Sequence, residues 1–190
     1  MLHVPALPRW PAWLSGRRVG VAALFLYGVV CIRRPDEHRL LDSVDLAIHE
    51  TGHLVFAPFG EFLEMLGGTL FQLIVPVAFV WYFWRRQERF SSAVVLFWVA
   101  QNCWNIARYI ADARAQELPL VGGGEHDWTY LLGTLGWLRH DQTLSTSVTV
   151  VGFLVFATSI WFGWRYGGAA GKDHGTDMER KARGRATTAA

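Results

Sequence analysis

The chemistry in this sequence is concentrated in five consecutive residues, His49-Glu50-Thr51-Gly52-His53. Residues four apart lie on one face of a helix, so the imidazoles of His49 and His53 can hold one zinc ion between them. The carboxylate of Glu50 lies beside them and can take a proton from a zinc-bound water, whose pKa the metal lowers to about 7. The spacing therefore predicts two metal ligands and the general base of a zinc hydrolase.

A catalytic zinc site also needs a third protein ligand and an open coordination position. Residues 122–128 offer three potential ligands directly after a run of glycines. Asp127 or His126 can supply the third ligand, and the sequence leaves both open, with Glu125 a weaker alternative. The same composition is also typical of an ordinary solvated turn.

Three further polar residues could support such a site. Asp45 precedes His49 by one helical turn, and a carboxylate in that position can hold the second nitrogen of a ligating histidine. It could equally be a charge favoured by the helix N-terminus. Asn102 and Asn105 lie in a later apolar segment, where they could hydrogen-bond a substrate backbone or a developing oxyanion. Their alternative role is to join packed helices by hydrogen bonds.

The segments that must position these residues are strongly apolar. Hydrophobic residues make up 52% of the chain and charged residues only 18%, whereas soluble domains carry about 25% charged residues. The formal net charge of +2 gives no reason to expect a nucleic-acid partner. Cys31 and Cys103 lie inside apolar runs, which favours two small buried hydrophobes over a disulfide.

The apolar runs predict an all-α, polytopic membrane helix bundle. We expect about four spans, near residues 13–32, 62–84, 92–113 and 148–164. A shorter helix at 42–57, capped by Asp42 or Ser43, carries the His-Glu motif and forms either a re-entrant segment or a fifth span. The membrane domain then covers residues 1–166, and residues 167–190 form a disordered basic tail.

The positions of arginine and lysine predict the orientation of the bundle. The tail is rich in basic residues, and Arg85, Arg86 and Arg89 lie between the second and third spans. We therefore expect both regions to be cytoplasmic, in the plasma (inner) membrane of a bacterium, with residues 114–147 outside.

The first half of the chain has two possible orientations. If Arg17 and Arg18 are cytoplasmic, the motif helix enters and leaves on the outer side; if Arg33 and Arg34 are cytoplasmic, it crosses fully. The short length of the motif helix favours the re-entrant arrangement. Only that arrangement brings the motif to the loop that contains Asp127.

The motif in a membrane segment, followed shortly by Gly67-Gly68, resembles the site-2 protease class of intramembrane zinc metallopeptidases. The resemblance covers about residues 42–75 and implies that His49 and His53 bind zinc and that Glu50 is the base. It also implies a membrane-protein or peptide substrate. That class takes its third ligand from an Asn-Pro-…-Asp-Gly motif, which this chain lacks, and Asp127 is the nearest functional substitute.

A second function is consistent with the same residues. A non-catalytic membrane protein could use the polar cluster to bind a metal ion or a small solute, or the chain could be a subunit of a membrane complex. The two histidines would then matter and Glu50 would not. The sequence leaves this alternative open beside the zinc hydrolase.

Overall fold

The computed structural model describes residues 15–119 and 125–168, and these residues form six α-helices and no β-strand. The predicted all-α class is therefore confirmed over this part of the chain. The predicted tail lies outside the described residues from position 169 onward. The helices are α1 (Gly16–Arg33), α2 (Leu40–Phe56), α3 (Glu61–Arg85), α4 (Arg89–Ala111), α5 (Asp127–Thr134) and α6 (Asp141–Gly167).

α4 lies at the centre of the bundle: it packs against α1, α3 and α6, and Trp98 and Asn102 on α4 donate hydrogen bonds to Asp45 of α2. Its inward face forms two apolar clusters. One joins Phe97 and Ala100 to Phe156 of α6, and the other joins Ile106 and Ile110 to Leu132 of α5. The buried residues of both clusters are at least nine-tenths buried, so α4 contributes most of the apolar core of the bundle.

Four helix ends meet at one end of the bundle. The Ser15 hydroxyl donates to the Gly167 carbonyl at 2.7 Å, which joins the start of α1 to the end of α6. The guanidinium of Arg17 lies 5.3 Å from the ring of Phe90, which joins α1 to the start of α4. We call this the arginine end, and it carries Arg17, Arg18, Arg85, Arg86, Arg89 and Arg165.

The motif helix α2 begins and ends at the opposite end, which we call the motif end. The Arg39 guanidinium, just before α2, donates to the Arg34 carbonyl at the end of α1, at 2.6 Å. After α2 the chain turns directly into the start of α3. Neither end of α2 therefore reaches the arginine end.

The start of α2 differs from the prediction. Helical residues begin at Leu40, and the backbone N–H of Arg39 donates to the Asp42 carboxylate at 2.7 Å. The cap predicted at Asp42 or Ser43 is therefore wrong by about one turn. Asp42 does stabilise the helix start, but as a side chain of the first turn that reaches back, as in a capping box.

Two of the described helical segments are long and apolar enough to cross a membrane, Glu61–Arg85 and the continuous stretch Leu138–Gly167. Only 28% and 17% of their apolar windows are buried inside the bundle. α1 and α4, which were predicted as spans, do not meet the same measure of hydropathy and charge.

The prediction of a loop around Asp127, between the third and fourth spans, is wrong for much of the described segment. It contains α5, and α6 begins at Asp141 instead of residue 148. Helix α5 forms because Leu131 and Leu132 become buried against the bundle, each 2% exposed. In the sequence, glycines and polar residues surround this short apolar pair, so a helix at this position was not recognised.

Candidate metal centre

Three predicted ligands from distant parts of the chain meet beneath α5. One carboxylate oxygen of Asp127, Oδ2, lies 2.9 Å from Nε2 of His49 and 3.3 Å from Nε2 of His53. One ligand atom from each residue fits within a group no wider than 4.8 Å. His49 and Asp127 are buried and His53 is half-buried. The residues therefore offer two nitrogens and one oxygen to a single metal ion.

The other nitrogen of each imidazole is held by α3. Nδ1 of His53 lies 2.8 Å from the backbone carbonyl of Glu64, and Nδ1 of His49 lies 3.1 Å from Oε1 of Gln72. A carbonyl oxygen can only accept a hydrogen bond, so Nδ1 of His53 carries the proton. The Gln72 contact places the proton of His49 on Nδ1 in the same way. Both arrangements leave Nε2 as the atom that can ligate a metal.

This tautomer creates an electrostatic requirement at the centre of the group. With Nε2 unprotonated on both rings, two lone pairs and an anionic carboxylate would point at one another among largely buried residues. Such an arrangement is stable only with protons or a cation between the three groups. Burial alone would raise the pKa of Asp127, but hydrogen bonds from His49 and His53 lower that pKa below its ordinary value. The set of donors fits zinc, which favours imidazole and carboxylate ligands.

Glycines allow α2 and α3 to approach closely enough to build this site. A Cβ atom on Gly68 would lie 2.6 Å from Nε2 of His49, inside van der Waals contact. A Cβ atom on Gly67 would lie 2.8 Å from the backbone oxygen of Gly52. The Gly67-Gly68 pair noted in the sequence is thus a steric requirement for seating His49 against α3.

A cavity of about 570 Å³ opens beside the three ligands, and Glu50 lines it. The Glu50 side chain is exposed, and no hydrogen bond or ion pair to another described residue engages it. Leu46, Met65, Ile106 and Leu118 give the cavity an apolar wall. The free Glu50 carboxylate and the imidazoles of His49 and His53 therefore line the same accessible cavity.

His126, the other predicted third ligand, is not part of this group. It is 2% exposed, and its Nδ1 accepts a hydrogen bond from the backbone N–H of Thr129 at 3.3 Å, which caps α5. Its Nε2 lies 3.4 Å from Oδ2 of Asp112. The structure thus brings Asp127, and not His126, to the two motif histidines, while the His126 side chain caps α5.

Asp45 does not hold either imidazole, so its predicted supporting role is wrong. It is 1% exposed and accepts hydrogen bonds from Nε1 of Trp98 at 2.6 Å and from Nδ2 of Asn102 at 3.2 Å. Although Asp45 and His49 share a stripe of α2, the carboxylate turns toward α4 while the His49 ring turns toward α3. The imidazole partners are Gln72 and the Glu64 carbonyl instead.

The two predicted substrate-contacting asparagines have different positions. Asn102 is 0% exposed and is engaged by Asp45 and the Trp98 carbonyl, so the predicted contact with a substrate is wrong for this residue. Asn105 lines the cavity and donates to the Asp42 carboxylate at 3.3 Å. Of the two, only Asn105 is in a position to meet a bound molecule.

Two site residues were missed by the sequence reasoning, Gln72 and Tyr109. A signal for Gln72 was present, because a lone amide inside the long apolar run of α3 is costly without a partner. Tyr109 follows Asn105 by four residues and lies on the adjoining part of the same helix face. Its hydroxyl accepts from the backbone N–H of Asp127 at 3.3 Å.

Comparisons with protein-family models, curated proteins and solved structures gave no match. The function of the site must therefore be argued from its own geometry.

Proposed function

We propose that this chain is a membrane-embedded zinc-dependent hydrolase that acts on peptide bonds. The observation that carries the proposal is the convergence of His49, His53 and Asp127, with both imidazole Nδ1 atoms already bonded to acceptors. A site of this polarity needs protons or a cation at its centre, and its donor set fits zinc. A free carboxylate on the same cavity provides the base that hydrolysis requires.

Each residue has a distinct part in the proposed chemistry. His49, His53 and Asp127 would hold the ion, and zinc would supply Lewis acidity toward water and a substrate carbonyl. Glu50 accepts the proton that the attacking water loses and returns it to the leaving amine. Gln72 and the Glu64 carbonyl keep the imidazoles oriented throughout.

The surface of the bundle supports a membrane location. A soluble core helix of this apolarity would be mostly buried, whereas α3 and α6 expose most of their apolar windows. We propose that α1, α3, α4 and α6 span the bilayer, with the arginine end in the cytoplasm. The large apolar side chains exposed on these helices include Phe25, Leu26, Ile74, Val77, Phe79, Leu154 and Trp161.

The register of α3 then gives the depth of the site. At about 1.5 Å per residue, Gln72 lies about 20 Å and Glu64 about 31 Å from Arg85 along the helix. Since the hydrocarbon core is about 30 Å thick, the three ligands lie in the outer part of the bilayer. Substrates would be membrane-protein or peptide segments that reach this depth.

The test uses the full chain, purified in bicelles under zinc-replete conditions. We expect about one zinc per chain and cleavage of some members of an internally quenched peptide library. Glu50→Gln should keep the zinc and lower the rate by at least about 10²-fold, since it removes the general base. Glu88→Gln, at the arginine end, is the matched control and should change neither zinc content nor rate.

Three results would contradict the proposal. A chain without bound metal after zinc-replete purification would remove its basis. Retained zinc with no cleavage of any library peptide would favour the non-catalytic metal-binding alternative. A cleavage rate that Glu50→Gln leaves unchanged would show that Glu50 is not the base.

A further inference from the structure

Tyr109 brings a hydroxyl group to the edge of the metal centre. It lies on α4 and lines the same cavity as Glu50 and the three ligands. Its ring meets the His49 ring edge-on, with the centroids 5.9 Å apart. The Tyr109 hydroxyl is therefore near both the ligands and the space that a substrate would occupy.

The hydroxyl is anchored but still has a proton to donate. Its oxygen accepts from the backbone N–H of Asp127 at 3.3 Å. A tyrosine hydroxyl can accept and donate at the same time. Within residues 15–119 and 125–168, no group accepts a hydrogen bond from this O–H. Because Tyr109 lines the cavity, a molecule bound there could accept this hydrogen bond.

The ring is fixed by contacts on its other side. It packs on the buried His126 ring at a centroid distance of 4.2 Å, and His126 is itself held by the backbone N–H of Thr129. A donor whose position is set before the substrate binds needs little reorganisation during the reaction. Such preorganised donors are the most effective at stabilising a developing negative charge.

We infer that Tyr109 is a further catalytic residue, which donates a hydrogen bond to the substrate carbonyl oxygen as that oxygen gains negative charge. The phenol keeps its proton, so no bond to oxygen breaks at Tyr109. This inference rests on the proposed hydrolase function. It differs from the sequence prediction, which gave this role to Asn102 and Asn105.

The experiment compares Tyr109→Phe with the matched control Tyr130→Phe. Tyr130 lies on α5, and its hydroxyl is engaged by Glu61 and Thr134 instead of the cavity. On a library peptide that the unaltered protein cleaves, Tyr109→Phe should lower kcat by about 10²-fold with little change in KM. Tyr130→Phe should leave both constants unchanged.

Zinc affinity, measured by competition with a chelator, separates this role from a structural one. The inference expects equal zinc affinity in Tyr109→Phe and the unaltered chain. It also expects a phosphinic tripeptide with leucine side chains, which mimics the tetrahedral state, to bind Tyr109→Phe more weakly by a factor similar to the loss in kcat. Weakened zinc binding in Tyr109→Phe would instead make Tyr109 a positioning residue for Asp127, and an unchanged kcat would overturn the inference.

A second substitution guards against a folding defect. Fluorinated tyrosine at position 109 keeps the ring and makes the O–H a stronger hydrogen-bond donor, so kcat should be retained or raised. The same replacement at Tyr130 should leave kcat unchanged. A kcat lowered as far as in Tyr109→Phe would contradict the inference. Should Glu50→Gln abolish cleavage while Tyr109→Phe does not, the hydrolase function would stand and only this inference would fail.

Discussion

The two ends of the bundle both concentrate polar residues, yet they arrange them in opposite ways. At the arginine end the charges lie on the surface and rest on aromatic rings, as where the Arg89 guanidinium lies 3.6 Å from the ring centre of Trp84. At the motif end, His49 and Asp127 are buried and point at one another. Clustered polar residues are therefore not sufficient evidence of a site; burial and convergence are what distinguish the motif end.

The difference has energetic consequences. An exposed cation–π contact contributes about 0.5–1 kcal/mol, and its side chains can rearrange without loss. A buried polar group that loses its partner costs about 1–3 kcal/mol. Substitutions at the motif end should therefore have larger and more specific effects than substitutions at the arginine end.

The largest effect is expected from Gln72→Leu. This substitution keeps an apolar side chain of similar size in α3 but leaves the buried Nδ1–H of His49 without an acceptor. Loss of such a partner lowers metal affinity by about 10–100-fold. Chelator competition measures the change, and Gln142→Ala, at an exposed position in the first turn of α6, should show none. Equal zinc affinity in Gln72→Leu and the unaltered chain would mean that α3 does not orient His49.

A smaller effect is expected from Gly68→Ala. The added Cβ would meet the His49 ring at 2.6 Å, so either the ring or α3 must shift, at a cost of about 1–3 kcal/mol. Gly20→Ala in α1 is the matched control, because its Cβ would meet nothing within 4 Å. Thermal unfolding should show a lower midpoint for Gly68→Ala alone. Equal midpoints would show that α2 and α3 are not in such close contact.

The smallest effect is expected at the arginine end. Arg89→Gln removes the contact with Trp84 and should change the free energy of unfolding by less than about 1 kcal/mol. Zinc content should stay the same because Arg89 contacts Trp84 and Gln87, which belong to the arginine end and not to α2. A loss of zinc in Arg89→Gln would contradict the separation of the two ends.

Much of the site could be predicted from the sequence because His49, Glu50 and His53 are close together along the chain. The spacing of His49, Glu50 and His53 is fixed by helix geometry, so their roles follow from the chain itself. The choice between Asp127 and His126 could not be made, since it depends on which way α5 faces. That direction is set by the burial of Leu131 and Leu132 and by the His126 cap.

The wrong predictions for Asp45 and Asn102 have a common cause. Asp45 was predicted to support His49 because it lies one turn before that ligand, and Asn102 was predicted to contact a substrate because it is a polar residue in an apolar segment. In the fold they pair with each other, at 3.2 Å. Helix periodicity gives the face on which a residue lies, but a face of α2 meets both α3 and α4. Only the packing of three helices decides which neighbour each side chain reaches.

The central claim is that His49, His53 and Asp127 bind one metal ion. X-ray absorption at the zinc edge of the purified full chain tests it most directly. The account predicts about one zinc per chain, with two imidazole nitrogens at about 2.0–2.1 Å, oxygen in the remaining positions and no sulfur. One imidazole should disappear in His53→Ala, whereas His140→Ala, at an exposed position before α6, should leave the spectrum unchanged. Zinc bound with sulfur ligands, or a spectrum that His53→Ala does not alter, would contradict the account.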